Sequence, residues 1–165
     1  EQIALGKRLR DLPEDWFTLP DEDGMKNSLI ATIAVFACNR LMDSGKYEEA
    51  AELMEKLVNQ KSGMVGIHRH MLNMDRIYCE MVCENRIEKL EELYDDELKK
   101  IMKAMKKSPS THRVQYLYSR YVEKDEKKAA VAMAMFEKTA KTYPYPHEIE
   151  GERELISYAE SKLAK

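Results

Sequence analysis

Apolar residues run almost without a break from Leu29 to Cys38, and after Lys46 the pattern thins to an amphipathic one. A helix that is apolar all round needs cover on every side. Asp43-Ser44-Gly45 separates the two halves. Three turn residues return the second helix antiparallel to the first, where it covers one side of it. The hairpin from Asn27 to Val58 is therefore the centre on which the rest of the chain is expected to pack.

Downstream the pattern predicts further helices. The first two run from about Gly24 to Met42, with Gly45 suited to its C-terminal end, and from about Lys46 to Gln60. Ser62-Gly63 breaks the second. A third, from about Met64 to Glu84, carries Ile67, Met71, Met74, Tyr78 and Met81 as an apolar stripe. A short helix with Ile87, Leu90, Leu93 and Tyr94 inward follows, then one over Leu98 to Lys107. Ser108-Pro109 signals a helix start, serine as N-cap and proline at the first helical position. That helix is expected to reach Glu123 and to bury Val114, Leu117, Tyr118, Tyr121 and Val122. Lys124-Asp125-Glu126 turns the chain into a helix ending near Thr142. Tyr143-Pro144-Tyr145-Pro146 is a stiff break before a last helix from His147 to Ala164. Residues 1–23, with two prolines around Trp16-Phe17, read as an arm packed on the domain. Residues 24–165 read as one all-α domain. Sequence neighbours tend to be spatial neighbours, so a right-handed α-solenoid of about four antiparallel helical hairpins is the expected architecture.

Composition narrows the function. The 165 residues carry a net charge of −3, which argues against general affinity for nucleic acid. Glycine and proline are scarce, and Met, Ala, Leu, Glu and Lys are prominent helix formers. The apolar run from Leu29 to Cys38 is about half the length of a membrane span. The expectation is a cytoplasmic chain, tethered to the membrane's inner face if at all through an upstream segment. Cys38, Cys79 and Cys83 are an odd number inside helical stretches, which fits reduced, buried, metal-free thiols. Cys79 and Cys83, at (i, i+4), could hold a metal with His68 and His70, but a structural zinc site wants four convergent ligands. His112 and His147 have no partner nearby in sequence. No catalytic residue, metal site or cofactor is assigned.

The lysines Lys99, Lys100, Lys103, Lys106 and Lys107 lie opposite Leu98, Ile101, Met102 and Met105. This is a core helix with a solvated basic side, or a surface in weak contact with an acidic membrane or an acidic partner. Asn73 and Arg76 fall off the Ile67-Met71-Met74 stripe, and Arg120 has the same relation to Leu117 and Tyr121. All three are expected to be open to a ligand. Such side chains can bond an extended backbone or a carboxylate.

Gly45-Lys46-Tyr47-Glu48-Glu49-Ala50 resembles the turn and second-helix start of a tetratricopeptide repeat. The repeat's small residues would fall on Cys38 and Ala50, with Met54 in its larger apolar slot. Ala132, Phe136 and Pro144 repeat its alanine, aromatic and proline spacing, while the middle of the chain matches poorly. The resemblance implies a concave surface for a protein or peptide segment and puts Asn39 on the inward face of the first hairpin. Leu12-Pro13-Glu14-Asp15-Trp16-Phe17, the Asn27-to-Ala50 stretch, and Tyr143-Pro144-Tyr145-Pro146 with Glu152-Arg153-Glu154-Leu155-Ile156 resemble the soluble tail of bacterial site-2-protease-type membrane zinc metallopeptidases. That likeness implies a non-catalytic accessory module, since no His-Glu-x-x-His occurs here. The alternatives are an enzyme assembled from dispersed Cys, His and acidic residues, and a homodimerisation scaffold.

Overall fold

The computed structural model describes residues 25–59, 66–83, 90 and 99–164. Among them every regular element is helical. The helices are α1 (Met25–Asp43), α2 (Tyr47–Asn59), α3 (Gly66–Val82), α4 (Lys99–Ala104), α5 (Pro109–Leu117), α6 (Glu126–Ala140) and α7 (Pro146–Leu163). A single π turn, Tyr118–Val122, continues α5. No helix among the described residues is long and apolar enough to cross a membrane. The arm over 1–23 and the short helix around Ile87 lie outside the described residues, apart from Leu90, which is buried. Residue contacts divide the chain into two compact units, Glu1–Glu80 and Met81–Lys165.

In the first unit α1 packs against α2. The turn between them closes as the glycine pattern demands. Gly45 sits at φ +70°, its N–H bonds the Met42 carbonyl at 2.9 Å, and the Lys46 N–H bonds the Leu41 carbonyl at 2.8 Å. Those two bonds satisfy carbonyls that the helix end leaves over, and only glycine takes that backbone conformation without strain. Ala37, Cys38, Ala50, Ala51 and Met54 are all buried, so small residues meet where the hairpin packs and Met54 fills space beside them. Cover over α1 is incomplete, however: Phe36 is 54% exposed. α3 buries Leu72, Met74, Ile77, Tyr78 and Cys79. Met71, expected inward, is exposed, although it shares a helix face with Tyr78 and Val82 further along α3. The Tyr47 and Tyr78 rings meet edge to face at 5.9 Å, joining α2 to α3 by a favoured aromatic geometry.

In the second unit α5 packs against both α6 and α7. Pro109 opens α5 as expected, but the Ser108 side chain makes no cap bond. At α6 the cap is Asp125, whose carboxylate accepts from the Lys127 and Lys128 backbone N–H groups. Pro146 starts α7 at its first turn. The sequence suggested an uninterrupted helix to Glu123. Instead the Glu123 N–H reaches the Tyr118 carbonyl at 3.0 Å, and the chain leaves through Lys124 at φ +57°. The wider turn leaves Tyr121 and Val122 half-buried rather than in the core, where Val114, Leu117 and Tyr118 lie.

Candidate interaction surface

Of the four residues expected to face a ligand, Asn39 and Arg120 reach solvent, and Asn73 and Arg76 do not. Asn39 is exposed on α1 beside Phe36 and Arg40. Asn73 and Arg76 are not open: they are only 1% and 4% exposed. The reason is a buried ion cluster. Arg76 Nη2 donates to Glu55 Oε1 of α2 at 2.9 Å, and its Nε lies 3.6 Å from Glu80 Oε1 one turn on. The space off the apolar stripe of α3 is filled by α2's carboxylate, so the guanidinium braces two helices instead of meeting solvent.

A second cluster joins α5 to α7. Arg113, fully buried, pairs with Glu152 at 2.9 Å, and the Ser110 hydroxyl donates to the same carboxylate at 2.7 Å. His112 beside them is buried. Its ring lies against the Lys106 carbonyl, yet neither nitrogen has an aligned hydrogen bond. Desolvation of the imidazolium holds its pKa below the ordinary histidine value, and that carbonyl only partly offsets it.

Arg120 is half-exposed and already engaged. Its guanidinium donates to the Tyr116 hydroxyl and, at 3.2 Å, to Glu160 Oε1, and it stands over the Tyr116 and Tyr121 rings at 5.8 and 5.4 Å. The Tyr116 hydroxyl donates to Glu160 at 2.5 Å. Burial, then the Glu160 bond, push the Tyr116 phenol up to about 12. A carboxylate ligand would have to displace Glu160 to reach Arg120.

Lys99, Lys100, Lys103, Lys106 and Lys107 are exposed, and Ile101 on the other side of α4 is buried. Cys38 and Cys79 are buried, Cys83 is half-buried, and all three are free thiols. Burial, with help from the negative charge of Asp75, pushes the Cys38 thiol far up, so it carries no nucleophilic thiolate. No group of three metal-ligating side chains occurs among the described residues.

What the sequence reading passed over is α6. Ala129, Ala132 and Phe136 are its buried face, and the opposite face leaves Val131 64% and Met135 42% exposed. The spacing Lys127, Val131, Ala134, Lys138 could have revealed it, but only Ala132 and Phe136 of this helix were singled out. Arg153 of α7 holds Glu137 bidentately at 2.6 and 2.8 Å and stands over Phe136, so α6 is held in place from behind. Compared with protein-family models, curated proteins and solved structures, the chain matches none.

Proposed function

We propose that this chain is a non-catalytic protein-interaction module built of stacked helical hairpins in a tetratricopeptide-like, right-handed arrangement. Support for the architecture comes from the α1–α2 hairpin and from α5, which touches both the next helix and the one after it, the neighbour pattern of stacked hairpins. The observation that carries the function is how the side chains are spent. The polar groups best suited to chemistry, Arg76, Arg113 and Arg120, are engaged with carboxylates in ion pairs that tie helix to helix. Apolar side chains, in contrast, remain on the surface of α6. Exposed apolar patches on an otherwise charged surface mark contact with another molecule.

The test is affinity capture from the native host with the full chain and with a Val131→Glu, Met135→Glu variant shown folded by circular dichroism. Partners recovered by the wild type and depleted by the variant support the reading. Recovery of nothing above a tag-only control overturns it. The more specific reading, an accessory module of a membrane zinc metallopeptidase on the cytoplasmic side, rests on the sequence likeness alone. Reading the gene upstream of Glu1 tests it: hydrophobic spans with His-Glu-x-x-His support it, and any other upstream sequence overturns it.

A further inference from the structure

Resting on the interaction-module reading, we infer that the outward face of α6 docks an amphipathic helix of a partner protein whose apolar stripe is bounded by acidic residues. Because α6 turns by 3.6 residues, the face opposite Ala129, Ala132 and Phe136 carries Lys127, Val131, Ala134 and Lys138 in one line, with Ala130 and Met135 flanking it. All six are exposed. The centre of the line is apolar and both ends are ammonium groups, about 16 Å apart along the axis at 1.5 Å per residue. Lys128, beside this line, is already held by Glu123 at 2.9 Å and by Asp125. Lys127 and Lys138 make no ion pair among the described residues.

This chemistry selects the occupant. Val131 and Met135 offer apolar contact that water cannot replace, and methionine adapts to the shape it meets. Ala130 and Ala134, one turn apart, leave a shallow trough in which a helix can approach to the short end of the usual range of about 8–10 Å between axes. Carboxylates three turns apart on that helix would meet Lys127 and Lys138. A second copy of the same face would set lysine against lysine. A lipid surface is met best by helices presenting Leu, Phe or Trp, and this face presents a valine, a methionine and two alanines.

The probe is a synthetic amphipathic helical peptide with a leucine stripe bounded by glutamates, titrated into the isotope-labelled full chain and followed by amide chemical shifts. A peptide with lysines in place of the glutamates, phosphatidylserine vesicles, and sedimentation of the free chain are the comparison arms. The expected result is shifts centred on 127–138, with binding about ten-fold weaker for the lysine peptide. Val131→Glu with Met135→Glu should also weaken binding about ten-fold. Lys127→Glu with Lys138→Glu should reverse the preference between the two peptides. Shifts confined to other faces, such as Phe36, Asn39 and Arg40 of α1, overturn this inference and leave the module reading standing. Silence here together with empty affinity captures removes both. Tighter binding to the vesicles than to the peptide overturns it in favour of lipid. Self-association abolished by Val131→Glu overturns it in favour of a second copy.

Discussion

His112 sits in surroundings that disfavour its charged form. Its ring is buried beside Arg113, and burial keeps its pKa below the ordinary 6.5. A folded-state value below the unfolded one means that the unfolded chain binds the proton more readily. Stability is then full above about pH 6.5 and is lost as pH falls through the folded value. His112→Gln, which cannot take up the proton, should flatten the decline in urea midpoint between about pH 6.5 and pH 5. Equal declines in wild type and variant would show that the ring is solvated in the folded protein. The sequence placed this histidine near a helix start and found it no partner. It could not show that the folded chain buries the ring, which is what lowers its pKa.

At the scale of elements, α3 is held by a charge inside an apolar interface. Arg76 faces Glu55 of α2 and Glu80 of its own helix. Two carboxylates close to one buried guanidinium are destabilising without it, because a desolvated charge needs its partner. Arg76→Ala should cost about 3–5 kcal/mol in denaturant unfolding. Arg76→Met with Glu80→Leu should cost less than the single change, since it removes the stranded charge and keeps the volume. Equal losses would mean that the cluster is hydrated. The same packing explains why the apolar stripe of α3 did not reveal that Asn73 and Arg76 are buried. Periodicity finds the direction of greatest apolarity, but a helix flanked on two sides buries an arc wider than its stripe.

At the scale of the molecule, the contacts separate at Glu80 into two compact units, each with its own buried residues. A core defect in one unit should therefore stay local. Ala50 is fully buried where α1 and α2 pack, and Ala50→Leu forces extra side-chain volume into that contact. The expected cost is about 1–3 kcal/mol. Hydrogen exchange read residue by residue should lose protection over α1 to α3, with little change over α5 to α7. Loss of protection spread evenly over both would show that the chain unfolds as one body.

The helices of this protein and most of their ends follow from local chemistry. Gly45 closes α1, Pro109 opens α5, and Pro146 opens α7 because each acts through its own backbone. The buried positions Cys38, Val114 and Leu117 follow from the apolar pattern, and Ala50, Met54 and Phe136 were expected from the repeat resemblance. Tertiary structure decided what spacing cannot express. It turned Asn73 and Arg76 inward, engaged Arg120 with Glu160, widened the chain into a π turn at Tyr118, and left Val131 and Met135 uncovered. Whether a polar residue beside an apolar stripe meets water or a carboxylate depends on which helix lies across from it. That neighbour is chosen by the fold as a whole, so no local pattern can name it.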